Sequence, residues 1–139
     1  MKKDIEDLLK KKGYYPLTTP LWNSFGFSQV KPNSNQEKQE QIKLIESSLF
    51  DKEGIYVYVN AAEETFYVGK GSPLKSRIKS HYNKLLKKGS DSRRVEFFQN
   101  NQGNMTIFWL EIEDEEEREI VEHLLSHLLK PKYKKWRAI

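Results

Sequence analysis

Residues 54–71 read GIYVYVNAAEETFYVGKG, and this stretch decides the fold. Two short runs rich in β-branched and aromatic residues, 54–60 and 65–70, flank a four-residue polar segment. That pattern predicts a β-hairpin whose two strands are antiparallel neighbours. Each run carries a tyrosine, Tyr56 and Tyr67, and a Gly-Lys-Gly closes the second run.

The sequence on either side of this hairpin predicts helices and one further strand. Ser34 and Glu37 form a capping-box pattern at the start of a helix, and Asp114 can cap another whose acidic first turn suits the helix dipole. The turn-rich aromatic segment 14–32 reads as an ordered loop that packs its rings on the domain. The expected helices are 3–11, 35–49, 73 to about 89, 92–100 and 115–129, and the expected third strand is 105–112.

This order of elements predicts a small α/β (α+β) domain with a three-stranded, mainly antiparallel sheet flanked by helices. Its expected range is 53–139, and residues 1–52 form an N-terminal helical and aromatic loop arm. A length of 139 residues, of which 37% are apolar, is sufficient for one compact core.

The composition excludes several classes of protein. No apolar run reaches the ~20 residues needed to cross a bilayer, and the basic N-terminus lacks the apolar stretch of a signal peptide. The chain has no cysteine, which excludes disulfides and cysteine-ligated zinc and fits a cytoplasmic location. We therefore expect no membrane association.

The net charge of +4 is unevenly distributed. Residues 65–94 hold nine Lys or Arg and one acid, whereas residues 111–119 hold seven acids and one base. The acidic run is explained by the helix start it precedes. The basic run favours contact with a polyanion over a merely solvated helix face, because the candidate site residues lie within it.

Several residues could carry chemistry. Arg77 and His81 lie four residues apart and share one helix face, near Lys70. Glu122 shares a face with apolar residues, so its carboxylate either binds a cation or metal or is a boundary glutamate with its head in water; spacing alone does not separate the two. His123 and His127 are also four apart, but no third ligand accompanies them, so we expect surface residues.

These residue types suit phosphodiester hydrolysis. A carboxylate can hold Mg²⁺ against a phosphate, and Lys or Arg can neutralise charge that builds in the transition state. A tyrosine beside a cation can lose its proton and act as a base.

The ordered set of motifs resembles the GIY-YIG nuclease family. Gly54-Ile55-Tyr56 and Tyr67-Val68-Gly69 match the two signature motifs, with ten residues between the tyrosines. The resemblance continues through Lys70, Arg77, His81, Glu122 and the Pro131–Tyr133 motif, and covers about residues 54–133.

The resemblance implies a DNA endonuclease with one Mg²⁺ or Mn²⁺ held by Glu122, leaving 5′-phosphate and 3′-hydroxyl ends. Tyr56 would be the general base, helped by Lys70 or His81, with Tyr67 as the other candidate, and Arg77 would bind the scissile phosphate. Restriction, phage or mobile-element enzymes are the expected types, acting as monomer or homodimer. The further lysines expected to bind DNA are Lys75, Lys79, Lys84 and Lys134.

One position departs from the family pattern, and it leaves alternatives open. The family usually has Asn after Pro-x-Tyr, where this chain has Lys134. A catalytically silent nucleic-acid-binding module on the same scaffold is therefore the second hypothesis. The third is an unrelated small α+β interaction domain.

Overall fold

The structure, a computed structural model of the 139-residue chain, describes residues 1–89 and 92–135. Within these residues the chain forms one four-stranded sheet with α-helices on both faces. The helices are α1 (Lys2–Lys12), α2 (Asn35–Leu49), α3 (Leu74–Asn83), α4 (Arg93–Asn100) and α5 (Glu115–Leu129), with a 3₁₀ turn at Lys84–Leu86. The strands are β1 (Asn23–Gln29), β2 (Gly54–Asn60), β3 (Thr65–Gly71) and β4 (Gly103–Glu111).

The sheet has the order β1-β4-β2-β3 and is antiparallel throughout. The predicted hairpin is confirmed, with Tyr56 opposite Gly69. The prediction of three strands is wrong. The missed strand is β1, which lies in the segment expected to be a loop and pairs along its whole length with β4, from Asn23 opposite Trp109 to Gln29 opposite Gly103.

The sequence of β1, NSFGFSQ, explains why the strand was missed. Asn, Gly and Ser are poor strand formers, and the propensity of the segment is that of a turn. Tertiary pairing overrides this propensity because β4 has a free edge, and the strand directs Phe27 into the core while Gln29 is fully buried.

Helix starts follow the predicted caps. Ser34 Oγ accepts a hydrogen bond from the Glu37 amide at 3.1 Å, and Asp114 accepts one from the Glu117 amide at 2.9 Å. The helix expected from residue 73 to about 89 is shorter and ends at Asn83. Beyond its end, the carbonyls of Lys84 and Lys87 accept hydrogen bonds from the Gln99 side chain of α4. These carbonyls therefore have hydrogen-bond partners although the helix has ended.

The two faces of the sheet differ in composition because strand side chains alternate. One face carries Tyr56 and Tyr58 against α2, α3 and α4, and we name its buried rings, Tyr56, Tyr58, Tyr67, His81 and Phe98, the aromatic layer. The opposite face carries Ile55 and Val57 against α1 and α5. We name this second cluster the aliphatic layer; its other members include Leu9, Val68, Leu110, Val121 and Leu125.

Two glycines of the hairpin are required by close contacts. A Cβ on Gly54 would lie 1.9 Å from the Leu110 carbonyl oxygen of β4. A Cβ on Gly69 would lie 2.2 Å from the Tyr56 hydroxyl. Both distances are shorter than any van der Waals contact, so the first glycine allows strand pairing and the second makes space for the tyrosine hydroxyl.

Candidate active site

An open cleft of about 570 Å³ lies along the end of edge strand β3. Helix α5 forms one wall, and α3 and α4 form the other, so the cleft joins the two faces of the sheet. Of the residues predicted to be catalytic, Lys70, Arg77 and Glu122 line it directly. Its other lining residues are Gly71, Ser72, Arg94, Glu115, Arg118, Glu119, His123 and Lys135.

The remaining predicted residues lie behind this cleft, in the aromatic layer. Tyr56, Tyr67 and His81 are fully buried. The Tyr56 hydroxyl is 2.5 Å from His81 Nε2, and the Tyr56 and Tyr67 rings stack with centroids 6.1 Å apart. The structure therefore brings together all six residues that the sequence singled out for chemistry, three in the cleft and three against its floor.

The two tyrosines differ in their hydrogen bonds. Tyr56 pairs with His81, and the Arg77 cation acts to lower the pKa of its hydroxyl. The Tyr67 hydroxyl is buried with no hydrogen-bond partner among the described residues. A base needs a group that orients it, so this geometry favours Tyr56 over Tyr67.

Burial governs the protonation of this pair. It raises the pKa of Tyr56 well above 10, against the lowering effect of the Arg77 cation. It lowers the pKa of His81 well below 6.5, and the nearby Lys84 and Arg77 charges add to this. The protein by itself thus holds Tyr56 as a neutral phenol beside a neutral imidazole. Burial likewise raises the pKa of Tyr67 to about 12.

Glu122 projects from α5 into the cleft with its side chain only 5% exposed. Its Oε2 pairs with the Lys135 ammonium at 2.7 Å, and the same ammonium lies 4.8 Å from the Tyr67 ring centroid. This settles the alternative left open by the sequence: the carboxylate is buried and paired with a cation, and its head is not in bulk water. Burial lowers the pKa of Lys135 in spite of this partner.

The donor set at Glu122 fits a hydrated Mg²⁺. The described residues contain no group of three or more His, Cys, Asp or Glu side chains placed to hold a metal. Mg²⁺ often binds through one or two carboxylates and completes its shell with water and substrate phosphate. A single buried carboxylate on the wall of an open cleft is suited to that mode, with Lys135 as the cation that a metal ion would replace.

Arg94 and Lys135 are among the cleft residues that the sequence did not single out. Arg94 extends from α4 with its guanidinium 5.6 Å from the Tyr133 ring centroid, and its buried Nε has no hydrogen-bond partner within the described residues. No spacing rule connects either residue to the hairpin. The only signal was their membership of basic runs.

The lysines predicted to bind DNA lie in different surroundings. Lys75 pairs with Asp51 at 2.7 Å and Lys79 pairs with Glu46, both toward α2 and outside the cleft lining. Lys84 is buried against His81, and Lys134 is exposed.

The two other histidines, His123 and His127, are exposed, as expected. His123 lines the cleft.

No helix within the described residues is long and apolar enough to cross a membrane.

Comparison with known proteins identifies relatives of this chain. The family model for the UvrC-like GIY-YIG domain matches residues 52–135. Among curated proteins, UvrABC system protein C of Bacteroides fragilis is 33% identical over 103 residues, which is 73% of this chain and 16% of that protein. The chain thus matches only a small part of the length of this relative.

Similar solved structures include the GIY-YIG N-terminal endonuclease domain of UvrC from Thermotoga maritima. A point mutant of that domain bound to its catalytic divalent cation has 23% identity and a TM-score of 0.47, covering 70% of this chain and 98% of the other. The magnesium-bound domain has 20% identity and a TM-score of 0.45, covering 73% and 99%. The family match spans the hairpin, the cleft and Tyr133, and the chain therefore belongs to the family of UvrC-like GIY-YIG domains.

Proposed function

We propose that this chain is a divalent-metal-dependent DNA endonuclease that hydrolyses phosphodiester bonds to leave 5′-phosphate and 3′-hydroxyl ends. One observation carries the proposal. A single open cleft holds the buried carboxylate of Glu122 opposite the guanidinium of Arg77, with the hydrogen-bonded Tyr56–His81 pair behind them. Each of these groups has a task in the reaction.

The cations of the cleft have the task of binding phosphate. Arg77 is the residue for the scissile phosphate, because its planar guanidinium can donate two parallel hydrogen bonds to phosphate oxygens. Lys70, 39% exposed and weakly paired with Glu119 at 4.0 Å, can turn toward a bound strand. Both neutralise charge that develops on the nonbridging oxygens during displacement.

Tyr56 has the task of moving the proton of the attacking water. Its hydroxyl oxygen lies 2.5 Å from His81 Nε2, and this contact holds it in position behind the cleft. Burial keeps the phenol protonated in the protein alone, so Tyr56 can take the proton of water only after its own proton has left, as a phenolate that the Arg77 cation stabilises.

Glu122 is the residue that would hold Mg²⁺ or Mn²⁺, and one such ion would supply Lewis-acid stabilisation of the phosphate and of the leaving oxygen. The ammonium of Lys135 occupies one oxygen of this carboxylate, so it must yield or share that oxygen. In the protein without metal it prevents an unpaired buried charge, which would cost several kcal/mol in a dry site.

DNA is the proposed partner. The basic residues of the cleft and of the segment 65–94 give the protein a positively charged surface for the DNA backbone. Contacts to phosphates do not depend on the base sequence. We place the activity in the cytoplasm, in a restriction, phage or mobile-element setting, with the protein a monomer or homodimer. The division into an arm, 1–52, and a nuclease domain, 53–139, belongs to the same proposal.

A second candidate function is a catalytically silent nucleic-acid-binding module. Two observations favour it: Lys134 stands where the family usually has Asn, and Lys135 neutralises Glu122. Such a module would bind DNA in a salt-sensitive way without cutting it.

Incubation with supercoiled plasmid, with Mg²⁺ or with EDTA, separates the two functions. The nuclease converts the plasmid to nicked or linear form only with the metal. Salt-sensitive binding in a gel-shift assay, combined with an intact plasmid in Mg²⁺ and in Mn²⁺, would establish the silent module instead. The nicked, linear or laddered products also report whether one or both strands are cut.

A further inference from the structure

The environment of His81 contains a contact that the catalytic roles above do not use. Lys84, from the 3₁₀ turn after α3, is 92% buried and directs its ammonium at the imidazole. Its Nζ is 3.3 Å from His81 Nδ1 and 3.1 Å from Ser80 Oγ. A lysine this deeply buried without a carboxylate partner among the described residues requires a reason.

The imidazole itself has little freedom to move. His81 is fully buried, and its ring centroid lies 4.6 Å from that of Tyr67 and 4.7 Å from that of Phe98. Its backbone carbonyl accepts a hydrogen bond from the side-chain amide of the buried Gln29 at 2.9 Å. Its ring nitrogens therefore have fixed neighbours, Lys84 on one side and Tyr56 on the other.

Donor and acceptor chemistry then determines where the ring proton lies. A neutral imidazole has one N–H donor and one acceptor nitrogen, whereas an ammonium only donates. Since Lys84 faces Nδ1, Nδ1 must accept, and the proton is on Nε2. The Nε2–H consequently donates to the Tyr56 hydroxyl oxygen, whose pKa the Arg77 cation also acts to lower.

The direction of this hydrogen bond affects how well Tyr56 can act as a base. An oxygen that accepts a hydrogen bond from His81 and feels the Arg77 cation is stabilised as a phenolate. In the opposite tautomer, the Tyr56 hydroxyl would donate to Nε2 and its proton would be retained. Burial and the Arg77, Arg94 and Lys87 charges lower the pKa of Lys84 to about 8, which leaves the ammonium charged at neutral pH.

We propose that Lys84 is a positioning residue of the nuclease site, which fixes His81 in the Nε2–H tautomer so that Tyr56 serves as hydrogen-bond acceptor and base. The assignment rests on the proposed nuclease function for its consequence in catalysis. The tautomer itself depends only on the fold.

The test is nitrogen NMR of the whole 139-residue chain labelled with ¹⁵N-histidine at pH 7, with His81 assigned from a His123→Gln, His127→Gln variant. The wild type should show the Nε2–H pattern. Lys84→Met should shift His81 toward the Nδ1–H pattern or a mixture, Lys84→Arg should retain Nε2–H, and Lys87→Met, the matched lysine on the surface, should leave it unchanged.

An Nδ1–H tautomer in the wild type, or an Nε2–H tautomer that persists in a folded Lys84→Met, overturns the proposal. The wild-type spectrum decides the matter even if Lys84→Met does not fold. In the plasmid assay, Lys84→Met should cut roughly tenfold or more slowly, with recovery in Lys84→Arg. A wild type that never cuts would refute the nuclease function while the spectrum still tests the tautomer.

Discussion

The aromatic and aliphatic layers are built on the same strands, yet they differ in the ionisable groups that they bury. Alternating residues of β2 supply both: Tyr56 and Tyr58 point one way, Ile55 and Val57 the other. The fully buried members of the aliphatic layer carry no ionisable side chain. The aromatic layer contains phenols and an imidazole that burial shifts in pKa, and such shifts cluster at functional sites. Stability and chemistry are thus divided between the two sides of one sheet.

The sharpest way to break this division is to delete one oxygen from the aromatic layer. Tyr56→Phe keeps the ring, so we expect the single-turnover cleavage rate to fall by about 10²–10⁴ because the base is lost. The free energy of unfolding should fall by only about 1–3 kcal/mol, since His81 loses a buried partner. Both are measured on one preparation, by plasmid cleavage and urea denaturation.

Tyr58→Phe is the matched control for that change. Tyr58 is equally buried in the same layer, but its hydroxyl has no hydrogen-bond partner among the described residues. It should cut at the wild-type rate. A Tyr58→Phe enzyme as slow as Tyr56→Phe would show that the layer acts through packing and not through one hydroxyl.

The reverse change, in the aliphatic layer, should affect stability alone. Ile55→Ala, next to Tyr56 in sequence but on the other face, should cost about 2–5 kcal/mol of unfolding free energy through cavity formation. The rate per folded molecule should remain near the wild-type value. Urea denaturation and single-turnover cleavage at low temperature measure the two quantities, and exposed Ile120→Ala serves as the neutral reference.

Lowering the pH should destabilise the protein through the aromatic layer, because only that layer contains a buried imidazole. The pKa of His81 in the folded protein is held well below 6.5, so the unfolded chain binds its proton first as pH falls. The stability from His81 is fully present above pH 6.5 and is lost as pH falls below it, by about 1.4 kcal/mol per pH unit. Urea denaturation between pH 7.5 and 5.5 measures this slope.

The exposed histidines provide the control for the acid effect. A His123→Gln, His127→Gln double variant should keep the slope, whereas His81→Asn should flatten it. A slope that survives in His81→Asn would assign the proton to another group.

The smallest expected effect concerns the pair that joins the two layers at the cleft. Lys135→Met should lower the unfolding free energy in EDTA by about 1–3 kcal/mol, because Glu122 loses its partner in a partly buried site. It should also tighten Mn²⁺ binding, since the competing ammonium is gone. Calorimetric titration with Mn²⁺ measures the affinity, and Lys134→Met, an exposed neighbour, should leave it unchanged.

The sequence predicted most of this architecture, for identifiable reasons. Strong local signals, the Ser34 and Asp114 caps and the β-branched hairpin, predicted helices α2 and α5 and strands β2 and β3. Strand β1 was missed because its polar sequence owes its conformation to pairing with β4, which lies about 80 residues further along the chain. No local pattern encodes such a partner.

The site was predictable to the extent that its residues stand at motif positions. Tyr56, Arg77 and Glu122 could be named from order and spacing. The roles of Lys84, which was expected only to bind DNA, and of Lys135 could not be predicted, because they depend on the atoms these ammonium groups face across the fold, His81 Nδ1 and Glu122 Oε2.

The most direct test of the proposed cleft compares two glutamates of α5 in the plasmid assay with Mg²⁺. Glu122 is buried at the cleft wall, and Glu119, one turn earlier, lines the same cleft but is 58% exposed. Glu122→Gln should abolish metal-dependent nicking while Glu119→Gln cuts within a few-fold of the wild type. Nicking that persists in pure Glu122→Gln would contradict the assignment of the metal and, with it, the proposed active site.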